Sequence, residues 1–194
     1  MLGKEPKPQP PDLLPEVCHE LEEAFSRKDR GKLAEICIRE SLKKAPIIES
    51  VEAATEEEQS RLNAGVDYWV TFKGWGERTG VQQTVAEKNR EYIMKKDSRY
   101  PRFVEKEGKT APVVLCEPDH KTVRAIQQGI NKLLLYRQEQ GNFTKIDIAS
   151  EEIVPQQAIA KIAAEIVRKY MEARPELRVR FERHLRQLFK IEEY

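Results

Sequence analysis

Apolar residues recur with helical spacing in two segments near the start of the chain. They mark one buried face of a helix that Asp12 caps and that runs to about residue 28. A second stripe covers residues 31–44 and stops at Pro46, because the residue before a proline is disfavoured in helical geometry. The short connection predicts that the two helices pack as an antiparallel pair.

Strand-like segments follow. "PIIESVEA" at residues 46–53 and "YWVTF" at 68–72 are rich in β-branched and aromatic residues. "RFVEKEGKTAPVVLCE" predicts a hairpin with its turn near Gly108, in which Pro112 places the second strand's start at an edge or a bulge. "FTKIDIAS", residues 143–150, alternates apolar and polar positions and predicts a half-buried strand.

Further helices are predicted along the rest of the chain. Thr55 and the glutamates after it indicate a helix N-terminus. A helical pattern covers about 80–96, and another runs from a cap at Asp119 to about residue 140. Ser150 starts the longest helical stretch, and Pro175 suits the first turn of a separate last helix. The predicted class is α+β: an N-terminal helical pair, a small, mostly antiparallel sheet of three to five strands, and C-terminal helices packed on it.

Length and composition indicate one α+β domain over residues 12–194, in which the pair 12–45 is open to being a semi-independent appendage. The chain has 194 residues, 39% hydrophobic and 35% charged, enough to bury a core. Four prolines in residues 1–11 predict a flexible, extended tail. The absence of an 18-residue apolar run and of an apolar leader argues against membrane and secretory roles, and three cysteines without a CxxC motif fit a cytoplasmic location.

Charge is distributed unevenly along the chain. Residues 1–65 carry a net charge of −4 and residues 66–194 a net charge of +5, although the total is only +1. Such asymmetry is typical of proteins with an anionic partner on one side. Solvated faces of an ordinary domain would give the same pattern.

The glycine-rich bend in "DYWVTFKGWGERTG", residues 67–80, is the first candidate site. A dinucleotide-binding fingerprint would need its third glycine at the position of Thr79, and no P-loop Gly-Lys-Ser/Thr is present. We therefore interpret the bend as a turn whose glycines supply positive φ. The alternative is that Trp75, flanked by Lys73 and Arg78, is an exposed stacking or interface residue.

Two cation-rich stretches are further candidates. "KKDSRYPRF", residues 95–103, interleaves cations that neutralise phosphates with aromatic rings on which a base can stack. Its candidate residues are Lys95, Lys96, Arg99, Tyr100 and Arg102. The last helix carries a cationic face opposite its leucine stripe, formed by Arg180, Arg183, Arg186 and Lys190. Both could equally be solvated surface.

"CEPDHK" is the segment that could carry an enzymatic function. Glu117, Asp119 and His120 lie between a strand end and a helix start, where a carboxylate pair and a histidine could bind a metal or transfer protons. A nuclease core with Pro-Asp followed by Glu-x-Lys is disfavoured, because here the order is reversed and Glu107-Gly108-Lys109 falls in a predicted turn. Asp119 fits a helix cap better.

These patterns favour a non-catalytic module that binds nucleic acid, directed at the backbone or at single strands. The alternative is a protein-interaction subunit or adaptor that meets an acidic protein surface or associates with itself as a homo-oligomer. No catalytic residue, metal or cofactor is predicted, and an enzyme is the less favoured class.

Overall fold

The computed structural model describes residues 13–55, 58, 66–84 and 100–189. These ranges contain five α-helices and five strands, and the fold is α+β as predicted. The helices are α1 Pro15–Ser26, α2 Arg30–Leu42, α3 His120–Gln140, α4 Gln156–Ala173 and α5 Arg178–Leu188. The strands are β1 Ile48–Ala53, β2 Tyr68–Phe72, β3 Arg78–Gln83, β4 Arg102–Lys106 and β5 Lys109–Cys116.

The strands form one mixed sheet in the order β1-β2-β3-β5-β4. Strands β3 and β5 are parallel, whereas the other neighbours are antiparallel. The β4–β5 hairpin turns at Glu107 and Gly108, whose φ angles of 53° and 74° match the positive values that tight hairpin turns require. The prediction of a turn near Gly108 is thus confirmed.

Pro112 lies near the start of β5, where the strand pairs only with β4, so this position is a local edge of the sheet, as predicted. Its partner on β4 is Phe103, and the register there is regular. Pairing of β5 with β3 begins one residue later, at Val113 opposite Gly80. Proline is tolerated at this position because the pairing with β3, which requires backbone N–H donors, begins only at the next residue.

The two faces of the sheet bury different clusters. One face, with Tyr68, Val70 and Phe72 of β2, joins apolar residues of all five helices in the main core. The opposite face carries a small cluster that includes Trp69 and Val113. Alternating side chains along each strand produce this division.

Gly80 lies under the indole of Trp69 in the small cluster. A Cβ atom at this position would approach Val113 Cγ2 to 3.1 Å, and Trp69 Cζ3 and Val66 Cγ1 to 3.2 Å each. The glycine therefore permits a close approach between β3 and the aromatic side chain of the neighbouring strand.

Helix termini follow the predicted cap chemistry at several positions. Asp119 accepts a hydrogen bond from Thr122 N at 2.7 Å, so it caps α3 as predicted. Thr55 and Glu58 hydrogen-bond each other reciprocally, Thr55 N to Glu58 Oε2 at 2.9 Å and Glu58 N to Thr55 Oγ1 at 3.3 Å. This is a capping box. Helix α1 begins at Pro15, and Asp12 lies outside the described residues.

Three predicted elements are wrong. Residues 80–83 belong to β3 instead of starting a helix, because Val81 pairs with Tyr68 and Val114; residues 85–96 lie outside the described part. Residues 143–150 form turns, not a strand. Helix α4 begins after Pro155 rather than at Ser150, and the longest described helix is α3, with 21 residues.

Candidate nucleic-acid interface

The glycine-rich bend connects two antiparallel strands, β2 and β3. Gly74 and Gly76 have φ angles of 65° and 71°, a conformation that disfavours side chains with a Cβ atom. A strand, not a helix, follows the bend, so it lacks the helix N-terminus that binds phosphate in nucleotide loops. The structure thus supports the interpretation of a turn.

Trp75, at the tip of this bend, is half-buried against the C-terminal helices. Its Nε1 donates to the hydroxyl of Tyr170 at 2.7 Å, and that hydroxyl donates to Glu77 at 2.6 Å. The indole also packs on Phe181 of α5, with ring centroids 4.8 Å apart. Burial and the hydrogen bond to Glu77 raise the pKa of Tyr170. Trp75 therefore anchors α5 to the sheet.

Helix α5 makes further contacts with the bend. His184 Nε2 lies 2.7 Å from the carbonyl oxygen of Lys73, and its ring centroid is 5.4 Å from that of Trp75. The guanidinium of Arg180 lies 5.3 Å from the centroid of the indole. The bend and the last helix, two separate candidates in the sequence, thus form one surface.

Arginines occupy the outer side of α5. Arg180, Arg183 and Arg186 are exposed, whereas Phe181 is fully buried. Three residues on a helix rise about 4.5 Å, so the three cations span about 9 Å. We call these residues the arginine row. Arg178 lies outside this row and pairs with Glu182 at 2.8 Å. Lys190 lies outside the described residues.

The acidic segment around β1 is partly neutralised by basic groups of the same chain. Arg78 lies 3.3 Å from Glu52 and 2.9 Å from Glu107, and Lys106 pairs with Glu58. Lys106 also lies over the ring of Trp69 at 5.3 Å. Part of the charge asymmetry therefore belongs to internal ion pairs, and Arg78 is engaged in them.

The second predicted stretch is only partly described. Tyr100 donates a hydrogen bond to Gln82 Oε1, and the guanidinium of Arg102 lies 5.6 Å from the Tyr100 ring. Phe103 is 49% exposed at the outer strand of the described sheet. The candidates Lys95, Lys96 and Arg99 lie outside the described residues.

A cleft of about 450 Å³ lies beside the bend. It lies between Gly76 in the bend, the β4–β5 turn, and Arg174 at the end of α4. Sequence reasoning missed Arg174 and Lys109, both of which line it. No pattern along the chain relates these two residues, because only the tertiary fold brings them together.

The loop before α3 has a structural role. Asp119 caps the helix and lies 2.9 Å from Lys161. Hydrogen bonds from Lys161 and Thr122 hold the pKa of Asp119 well below its usual range, so this carboxylate stays ionised. Within the described ranges, histidines, cysteines and carboxylates form no group of three or more placed to hold a metal ion.

Comparison of the chain with protein-family models, with curated proteins and with solved structures yields no match. None of the helices in the described ranges is both long and apolar enough to span a bilayer. A functional assignment therefore depends on the geometry described above.

Proposed function

We propose that this protein is a non-catalytic module that binds nucleic acid, mainly through the phosphate backbone. One observation carries the proposal: the arginine row lies exposed on a helix whose opposite side is anchored to the sheet. Phe181 is fully buried and Trp75 packs on it, so the backbone of α5 is held in place.

An anchored row of cations suits a polyanion. Each arginine that neutralises a phosphate releases condensed counterions, which favours binding whatever the base sequence. Among Arg178–Leu188 there are four arginines and one glutamate, and that glutamate pairs with Arg178. The sequence of this helix therefore carries an excess of positive charge.

Single strands are the form of nucleic acid that the β4 region suits. Arg102 and Tyr100 stack on each other there, and the half-exposed ring of Phe103 lies on the same strand as Arg102. Unpaired bases stack on such rings, whereas paired bases are held inside a duplex.

A protein-interaction subunit is the second candidate. Val179 is 70% exposed and Phe189 45% exposed at opposite ends of the α5 region, so apolar and cationic groups occur together there. An acidic protein surface or a second copy of this chain could cover them. Glu52 pairs with Arg78 and Glu58 pairs with Lys106, and these ion pairs within the chain weaken the argument for an acidic docking face.

A cytoplasmic location fits this function. Cys18, Cys37 and Cys116 are all free thiols, as is usual in a reducing compartment.

The test is fluorescence anisotropy with labelled single-stranded and duplex oligonucleotides between about 50 and 200 mM salt. Arg183→Gln should weaken binding to every sequence and reduce the slope of log K against log salt by about one. Arg124→Gln is the matched control, since Arg124 is an exposed arginine on a different helix, α3. It should leave the slope unchanged.

Absence of salt-dependent binding, or equal effects of both substitutions, would contradict the proposal. Sedimentation of the same samples distinguishes the alternative function, a protein-interaction subunit, from nucleic-acid binding. Self-association at micromolar concentration that Val179→Ser weakens, without oligonucleotide binding, would favour the interaction subunit.

A further inference from the structure

The cleft beside the bend has its own set of charged groups, distinct from the arginine row. Four cations line it, namely Arg78, Lys106, Lys109 and Arg174. Two carboxylates, Glu77 and Glu107, line it as well. Its volume of about 450 Å³ falls in the range of small-molecule sites.

Most of these charges are already engaged. Arg78 pairs with Glu107 as well as with Glu52, and Lys106 pairs with Glu58. Glu77 accepts the hydroxyl hydrogen of Tyr170. Lys109 is exposed and forms no ion pair with another residue of the described ranges. Lys109, and Arg174 with its longer contact of 3.5 Å to Glu176, are therefore the cations of the cleft that can take up a ligand.

The Arg174 side chain is held in place by three contacts. Its guanidinium lies 5.3 Å from the ring centroid of Phe103, and its Nη2 donates to the carbonyl oxygen of Thr110. Its Nη1 lies 3.5 Å from Glu176. The Nε atom is buried and has no hydrogen-bond partner among the described residues. A buried donor on a charged group without an acceptor is costly and rare.

We propose that the cleft is an oxyanion site that takes a phosphate group. The guanidinium of Arg174, which lines the cleft, and Lys109 Nζ donate to its oxygens, and Phe103 keeps the guanidinium in position. Hydrogen bonds between ionised groups are stronger than neutral ones, so two such donors give a defined anion site. The site is independent of the arginine row and stands even if α5 binds a protein instead.

The test observes the Arg174 Nε–Hε resonance by proton–nitrogen NMR during titration with inorganic phosphate at constant ionic strength, with chloride as the balancing anion. Arg174→Lys assigns the resonance, because it removes the signal. Phosphate should shift it saturably and leave the Nε–Hε resonance of exposed Arg124 in place. Lys109→Gln should weaken phosphate binding about tenfold, since one charge-assisted hydrogen bond is lost. Lys132→Gln, an exposed lysine on α3, is the control.

A resonance that does not move, that moves equally with chloride alone, or that titrates normally in Lys109→Gln would overturn the proposal. The source of the phosphate is decided with three probes: adenosine 5′-monophosphate, a 5′-phosphorylated oligonucleotide and the same oligonucleotide with a 5′-hydroxyl. Preference for the phosphorylated strand assigns the cleft to nucleic-acid ends, and preference for the mononucleotide assigns it to free phosphate esters. Arg183→Gln should leave the phosphate titration unchanged, which separates this site from the backbone contact.

Discussion

The carboxyl group of Glu35 lies on helix α2 with only 12% of its side chain exposed. Burial is the largest cause that raises its pKa from 4.5 to about 7, and the negative charge of Asp67 adds to it. Lys32, 2.6 Å away, and Arg39 act in the opposite direction but do not compensate. The hydroxyl of Tyr68, a titratable group on which the charge of Glu35 acts, is fully buried.

The free energy involved follows from linkage between protonation and folding. Each step of one in pKa is about 1.4 kcal/mol, so a rise from 4.5 to about 7 corresponds to about 3 kcal/mol. Below about pH 4.5, Glu35 is protonated in both the folded and the unfolded state, so its ionisation does not lower the free energy of unfolding. As the pH rises toward 7, the unfolded chain releases the proton while the folded chain keeps it, so stability falls. Above about pH 7 the carboxyl is ionised in both states, and the free energy of unfolding falls no further on account of Glu35.

Glu35→Gln replaces the carboxyl by a neutral group of the same shape. We expect the variant to match the parent protein near pH 4.5 and to be more stable by about 2 to 3 kcal/mol near pH 8. Urea unfolding, followed by far-UV circular dichroism at a series of pH values, measures the difference between the two proteins. In that difference the titration of other groups cancels.

Glu139→Gln serves as the control, because Glu139 is exposed on α3. Its difference curve should stay flat across the same pH range. A flat curve for Glu35→Gln as well would refute the reasoning, since the carboxyl would then ionise equally easily in both states.

Two further predictions concern packing. Gly80→Val should destabilise the fold by about 2 kcal/mol, because the added side chain meets the atoms that already lie within 3.2 Å of an ideal Cβ. An unchanged urea midpoint would contradict this, because it would mean that the side chains of the small cluster can move aside at no cost. Phe181→Ala should cost about 3 to 5 kcal/mol, while Val179→Ala, at 70% exposure on the same helix, should cost less than about 0.5 kcal/mol. Similar midpoints for the two α5 variants would contradict the anchoring of that helix.

Local signals in the chain were sufficient for most helices and for the β4–β5 hairpin. Asp119 caps the start of α3 as expected, and the helix ends at a left-handed Gly141 close to the predicted end, because cap chemistry is local. Strand β3 escaped prediction because Val81 and Val85 have helical spacing and the segment contains a glycine. What makes it a strand is pairing with β2 across the bend and with β5, which lies much further along the chain.

Residues 143–150 show the opposite error. Their alternation reflects real burial, since Phe143, Ile146 and Ile148 all reach the main core. The segment nevertheless turns, because side chains of Asn142 and Asp147 hydrogen-bond backbone amides two residues further on. The alternation therefore matches the burial of Ile146 and Ile148, but Phe143 is buried out of phase with them, and the backbone is not a strand.

The candidate site could be predicted only where it is continuous in sequence. The spacing of Arg180, Arg183 and Arg186 predicts a cationic helix face, and these residues are exposed on one side of α5. The packing of Trp75 on that helix and the meeting of Arg174 with Lys109 depend on long-range contacts, which local patterns do not encode.

The two tryptophans lie on opposite faces of the same sheet. Trp69 belongs to the small cluster, and Trp75 packs against the main core beside Arg180 and His184. Because they are the only tryptophans in the chain, intrinsic fluorescence sums one signal from each face. Trp69→Phe and Trp75→Phe would separate the signals, so that undocking of α5 and loosening of the opposite face can be followed independently in real time.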